Sequence, residues 1–340
     1  MQKTSEQNIK ISVIVSVYGV ERFIKKCISS YINQTTLESS ELLIINDCTK
    51  DKSIEIINSI LEEVNVKIKS KIKVINHDIN KGLAATRNTG LTYAKGEYLY
   101  FIDGDDYLEL NFIEDFLEYL KNDNSDIICM DVNYKYEDYV KYVKFNYDTD
   151  NKTEIKYFLT NNMGCAGNYT RLIKKDLFLS NNITFTENIN MYEDRLCGIK
   201  LFFKAKSTSY IPKAYYNYVQ YNASSITKNI NESIVLQWIN AVADLETFLE
   251  ENNLLSDFYF ELIEFKLRIK YLILLKSDIE IKLKYKNIFP ETDSHIFKSK
   301  GVPSLLQKIN VFFYTKNLTV LAKLYESMLT FSKKILKKRL

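Results

Sequence analysis

Two periods of hydrophobic spacing alternate along the first third of this chain. Ile11-Ser12-Val13-Ile14-Val15-Ser16-Val17 is a β-branched run of strand length, and Leu42-Leu43-Ile44-Ile45, Lys73-Val74-Ile75-Asn76 and Tyr98-Leu99-Tyr100-Phe101-Ile102 read the same way. Between these runs apolar residues recur at helical spacing. Phe23, Ile24, Cys27, Ile28 and Tyr31 share one face, as do Ile54, Ile57, Ile60 and Leu61, and the break at Lys81-Gly82-Leu83 precedes a helix from Ala84 to Ala94. Strands alternating with helices predict an α/β fold with a mostly parallel sheet and helices on both faces.

After Leu120 the pattern loosens. A strand is predicted at Ile127-Ile128-Cys129-Met130, a polar, Tyr-rich stretch from Asn133 to Tyr147, and a helix after Glu154. A helix over Glu193 to Lys206 and a return strand with a turn from Tyr210 to Tyr218 follow. Beyond about Asn229 the spacing is helical almost throughout, with Ile234, Trp238, Val242, Leu245 and Leu249 on one side. The expected division is therefore a sheet-bearing domain over 1–228 and a helical C-terminal region over 229–340.

Composition narrows the class. The 340 residues are 46% hydrophobic, enough for a real core, and 46 basic against 43 acidic residues leave a formal charge of +3, which gives no electrostatic case for nucleic acid. Five scattered cysteines without a C-x-x-C pair argue for reduced thiols and against a zinc site. The polar start Met1 to Gln7 shows no signal-peptide core, and no apolar run approaches the roughly 18 residues of a membrane span. A cytoplasmic protein is expected.

The densest chemistry lies at Asp103-Gly104-Asp105-Asp106, three carboxylates around a glycine at the end of an aromatic strand. Charge of this density belongs where the strand leaves the sheet, the place where open α/β sheets bind ligands. Gly104 is expected to allow a sharp turn, and hard oxygen ligands clustered this way suit Mg²⁺ or Mn²⁺ serving phosphate groups. The plainer alternative is an acidic turn capping a helix that begins near Leu110.

Other segments fall into line with this one. The first strand ends in Ser16-Val17-Tyr18-Gly19-Val20-Glu21 and the second in Asn46-Asp47-Cys48-Thr49-Lys50-Asp51. Asn80-Lys81-Gly82-Leu83-Ala84-Ala85-Thr86-Arg87-Asn88-Thr89-Gly90 comes next, then Asp103 to Asp106, then Glu193-Asp194. In this order and spacing they resemble the P-x-Y-N-x-E, D-D-G-S-x-D, N-x-G-x-x-x-A-R-N-x-G, D-x-D-D and E-D motifs of the inverting family 2 glycosyltransferases with the GT-A fold, from about Ile9 to Ser225.

The resemblance implies a nucleotide-sugar donor, most often a UDP-sugar, and a glycan or lipid-linked glycan acceptor. It places Val17 and Tyr18 beside the base, Asp47 as acceptor for a base N–H, Asp103 at the ribose, and Lys81 and Arg87 as positive charge near the diphosphate, with Glu21 in the same donor pocket. Asp105, with Asp103, would hold the Mn²⁺ or Mg²⁺, and Asp194 would be the general base with Glu193 beside it. Gly19, Asn46 and Cys48-Thr49 depart from the commoner residues, and these departures surround the base pocket. Read without the resemblance, Arg87 is equally a surface ion-pair partner, Glu193-Asp194 an acidic first helical turn, Asp51 a helix cap, and His77 and His295 ordinary residues.

The segment Leu318 to Leu340 sets Leu321, Leu324, Met328, Ile335 and Leu336 along one side with Lys333, Lys334, Lys337, Lys338 and Arg339 near its end. That pattern fits peripheral contact with an anionic membrane, or a helix packed on its neighbours with a solvated lysine face. The competing non-enzymatic reading is a GT-A-fold scaffold in a glycan-assembly complex. The sugar, the acceptor linkage and the oligomeric state are not written in these patterns.

Overall fold

The computed structural model describes residues 8–145, 147–148, 150–160, 167–222, 230–299 and 304–337, with side chains as far as Met328. The chain forms two compact units, one of residues 1–158 with 163–223 and one of 159–162 with 224–340. The predicted boundary at 228/229 lies outside the described residues.

In the first unit, β1 (Ile11–Val17), α1 (Ile24–Ile32), β2 (Ser40–Asn46), α2 (Ser53–Glu63), the short α3 (Val66–Lys69), β3 (Ile72–Asn76), α4 (Leu83–Tyr93) and β4 (Tyr98–Asp103) follow the predicted alternation. Then come β5 (Tyr107–Leu108), α5 (Phe112–Tyr119), β6 (Ile127–Lys135), β7 (Val140–Val143), α6 (Asn151–Thr160), β8 (Arg171–Lys174), α7 (Lys175–Leu179), α8 (Glu193–Lys204) and β9 (Thr208–Val219). One nine-stranded sheet has the order β3-β2-β1-β4-β8-β6-β9-β5, with β7 on β6.

The pairings β3·β2·β1·β4 are parallel, as a chain of β-α units requires. Beyond β4 the sheet is mixed. β8 runs antiparallel to both β4 and β6, β9 lies parallel to β6, and β5 and β7 are antiparallel additions. The Tyr-rich stretch that reads as irregular is in fact the second half of β6 and the edge strand β7. Its alternation is blurred because β7 leaves Val140 and Tyr142 exposed, as is Tyr139 just before it. β8, only four residues long, carries too little pattern to be read.

β1 is buried on both faces, and its apolar run packs with α1 residues Ile24, Cys27, Ile28 and Tyr31 into the main core. Complete burial of such a central strand explains its unbroken β-branched sequence. Register places Ser16 opposite both Ile45 and Asp103, and Val17 opposite Asn46, which in turn faces Asn76. The carboxyl ends of four parallel strands therefore finish at one edge.

The second unit is helical: α9 (Glu232–Glu251), α10 (Leu255–Lys276), α11 (Ile279–Tyr285), a 3-10 turn at Pro290–His295, α12 (Leu305–Thr315) and α13 (Thr319–Lys337). Asn231 caps α9 by accepting from Ile234 N–H at 3.0 Å, and Trp238, Val242, Leu245 and Leu249 bury the predicted stripe. The ammonium of Lys270 is buried yet fully served, by Asp293 at 2.5 Å, the Phe289 carbonyl at 3.1 Å and Thr292 Oγ1 at 3.3 Å. On α13, Leu321, Leu324 and Met328 are exposed while Ala322 is buried. The side chains of Lys333, Lys334, Ile335, Leu336 and Lys337, and all of Lys338 and Arg339, lie outside what is described. Among the described residues no helix is long and apolar enough to cross a membrane.

Candidate functional site

The D-x-D-D turn divides its three carboxylates between structure and surface. Asp106 is buried, accepting from Tyr216 Oη at 2.5 Å and from Val219 N–H at 2.7 Å, so it ties the end of β9 to the end of β4. Asp103 and Asp105 remain partly accessible, and Asp105 Oδ2 accepts from Asn222 Nδ2 at 2.8 Å. Burial, then the charge of Asp103, raise the Asp105 carboxyl above its ordinary range. Gly104 does not owe its place to a left-handed backbone. A Cβ there would stand 2.8 Å from the Ser16 carbonyl, so close approach to the tip of β1 requires the glycine.

Arg87, on α4, joins two motifs far apart in sequence. Its Nη2 donates to Asp103 Oδ1 at 3.0 Å and its Nη1 to Glu193 Oε1 at 2.5 Å, in a buried setting. Burial disfavours the guanidinium charge, but Asp103, Glu193 and Asp194 more than offset that and hold Arg87 protonated. Glu193 responds in the opposite sense. Burial and the charge of Asp194 outweigh Arg87 and push its carboxyl up to about 7. Asp194 is half-buried, and its Oδ1 accepts the local Arg195 N–H at 2.7 Å. Asp194 is thus the more available carboxylate of the pair.

The donor-side residues sort by what holds them. Tyr18 is 52% exposed at the strand tip, while Val17 is completely buried. Val17, the last residue of the central strand β1, packs with the main core, whereas Tyr18 presents an exposed ring. Glu21 Oε2 accepts from Lys52 N–H at 3.0 Å and its own N–H donates to Asp51 Oδ2 at 2.8 Å, bracing the start of α2. Asp51 Oδ1 accepts from the N–H of Ser53, the first residue of α2, at 3.1 Å, while the N-cap position itself is Lys52.

Asp47 is buried and clamps a turn. Its Oδ1 accepts from Lys81 N–H and its Oδ2 from Gly82 N–H, both at 2.8 Å, which fixes the Asn80–Gly82 backbone and leaves the Lys81 side chain exposed. Behind it stands His77, with Nδ1 2.8 Å from Asp47 Oδ1 and Nε2 2.8 Å from Thr89 Oγ1. His77 is therefore part of the site's frame, not an ordinary residue. Its role follows from β2·β3 register, since Asn46 pairs with Asn76 and the next residues meet. A sequence without known register carries no such signal.

An α/β sheet whose strand ends gather carboxylates from both halves of its unit is the architecture of the GT-A transferases. Residues 12–179 match the model of Glycosyl transferase family 2, and the chain belongs to that family of glycosyltransferases. It is 32% identical over 226 residues to the uncharacterized glycosyltransferase EpsJ of Bacillus subtilis, covering 64% of this chain and 63% of that one. It is also 27% identical over 312 residues to the cholesterol galactosyltransferase of Borreliella burgdorferi, covering 86% and 84%. Among solved structures, S. aureus TarS 1–349 in complex with UDP-GlcNAc superposes with a TM-score of 0.68 at 20% identity, covering 95% of this chain and 92% of that one.

Proposed function

We propose that this glycosyltransferase moves a sugar from a UDP-sugar to a glycan acceptor with inversion, and that Asp194 is the general base. The observation that carries this reading is Arg87 bonded at once to Asp103 and Glu193, which sets the D-x-D-D turn and the carboxylate pair at α8 side by side. The UDP donor is supported by the UDP-GlcNAc bound in the TarS structure.

In the proposed reaction the acceptor hydroxyl gives its proton to Asp194 as its oxygen bonds to the anomeric carbon, and the bond from that carbon to the diphosphate oxygen breaks on the opposite face. One base suffices. Tyr18 offers a ring for the nucleobase and Asp103 an acceptor for ribose hydroxyls, and the Lys81 ammonium faces the departing diphosphate. Arg87, Glu21 and Asp47, whose polar groups bind within the protein, act by holding the strand tips in place.

Among the described residues no group of three or more His, Cys, Asp or Glu side chains is arranged to hold a metal by itself. The residues nonetheless fit a site of the kind Mg²⁺ takes, one or two carboxylates completed by substrate phosphates. Burial and the charge of Asp103 penalise the Asp105 charge, a penalty that a divalent cation held there would offset. Asp105 and Asp103 would hold it, and it would stabilise negative charge on the leaving diphosphate.

We also propose that the sheet-bearing region to residue 228 is the catalytic domain and that α13 lies against an anionic membrane. The latter is supported by exposed Leu321 and Leu324 and by the lysine-rich end of the chain.

The decisive test is Asp194→Asn, which keeps size while removing basicity. Transfer should fall by roughly 10²–10⁴-fold with UDP binding retained in calorimetry. A folded variant that transfers within a few-fold of wild type would rule out the base.

A further inference from the structure

Helix α4 holds the stretch of chain leading to Asp194 at three points. Asn88 makes a two-way bond with Phe185, Nδ2 donating to its carbonyl at 2.8 Å and Oδ1 accepting its N–H at 2.9 Å. Asn190 Oδ1 accepts Ala84 N–H at 3.2 Å, one of the first-turn donors that a helix leaves without an internal partner. Arg87 bonds Glu193, as above. No helix or strand lies between Leu179 and Glu193, so side-chain bonds of this kind fix where that segment stands.

The same helix begins at the turn that Asp47 clamps. A Cβ on Gly82 would lie 2.5 Å from both Nδ2 and Oδ1 of Asn190, so the turn and the segment are in direct contact, and Gly82 has φ +87°. Tyr192, just before the carboxylate pair, is a bulky residue at φ +74°, a strained backbone that persists only where its surroundings hold it. Asp47 thus holds the Asn80–Gly82 turn from one side, and Asn190 contacts it at Gly82 from the segment leading to Asp194.

We infer that Asn88 and Asn190 are positioning residues that couple the Asn80–Gly82 turn to the place of Asp194, so that filling the donor side also sets the base. The inference rests on the reading of Asp194 as base. A rigid helix between two loops is the physical link, and a base displaced by about 1 Å costs about 10²-fold in rate. Because the bonds run to backbone groups of residues 84 and 185, the coupling acts on chain position and not on charge.

Two measurements test it. Hydrogen exchange of the wild-type protein with UDP and Mn²⁺ should slow in residues 80–85 and equally in 185–194; protection confined to the first segment overturns the coupling. Asn190→Ala should lower transfer by about 10- to 100-fold while UDP binding stays within about twofold. Asn190→Asp, which keeps an oxygen facing Ala84 N–H, should recover transfer to within about threefold. Wild-type transfer by Asn190→Ala, or equal loss of UDP binding and transfer, overturns the assignment. If the alanine variant does not fold, the exchange measurement decides alone. Should Asp194→Asn transfer normally while UDP protects both segments, the base reading falls and the coupling stands.

Discussion

Arg87 Nη1 meets Glu193 Oε1 at 2.5 Å inside the first unit, with both side chains about 5% exposed. Their separation of 106 positions makes this a tie between α4 and the carboxylate pair at the start of α8. A buried pair contributes little over a well-packed apolar pair, but losing one partner leaves an uncompensated charge.

Arg87→Ala is accordingly expected to destabilise the first unit by about 3–5 kcal/mol, the usual cost of breaking a buried pair. Asp103, whose side chain is 31% exposed, adds little to that figure. Arg87→Lys should recover only part of it, because an ammonium cannot reach two carboxylates as a planar fork does. Urea unfolding of the three proteins measures this, and an alanine variant as stable as wild type would show that the pair is not buried in solution.

Glu193 gives a pH signature with a definite sign. Its carboxyl is raised from 4.5 to about 7 by burial and Asp194, so between those values the folded protein holds a proton that the unfolded chain releases. Stability from this group therefore falls as pH rises through that window. Glu193→Gln should remove the decline, and the stability difference between variant and wild type should shift in favour of the variant as pH rises. A difference constant with pH would contradict the shift.

Asp105→Asn should weaken binding of Mn²⁺ in the presence of UDP without unfolding the protein, since the amide can still meet Asn222. Calorimetric titration of Mn²⁺ into the UDP complex reads this directly. Unchanged affinity would remove Asp105 from the proposed metal site.

Deleting residues 333–340 should weaken association with vesicles rich in anionic lipid and leave sugar transfer to a soluble acceptor in place. Each lysine or arginine near such a surface contributes about 1 kcal/mol at low salt. Equal sedimentation of both proteins with the vesicles would exclude α13 as the membrane contact.

The β-α alternation up to β4 was legible in sequence because β1, β2 and β4 are short apolar runs buried on both faces and α1 and α2 each show one apolar stripe, and both are local patterns. So was the D-x-D-D turn, since three carboxylates cannot stay inside a sheet. The long helical stripe at Trp238, Val242, Leu245 and Leu249 was equally plain. What only the tertiary structure decided depends on register and on which side chains meet. Strands β8 and β7 are recruited by pairing partners, not by their own composition. Val17 ends its strand and yet packs in the core, which its sequence position does not show. His77 becomes a partner of Asp47 only when β3 aligns with β2 so that Asn76 faces Asn46. Arg87 reads equally as a surface ion pair and as a diphosphate ligand. Its actual partners, Asp103 and Glu193, lie 16 and 106 positions further along the chain, and a sequence records spacing along the chain but not proximity across it.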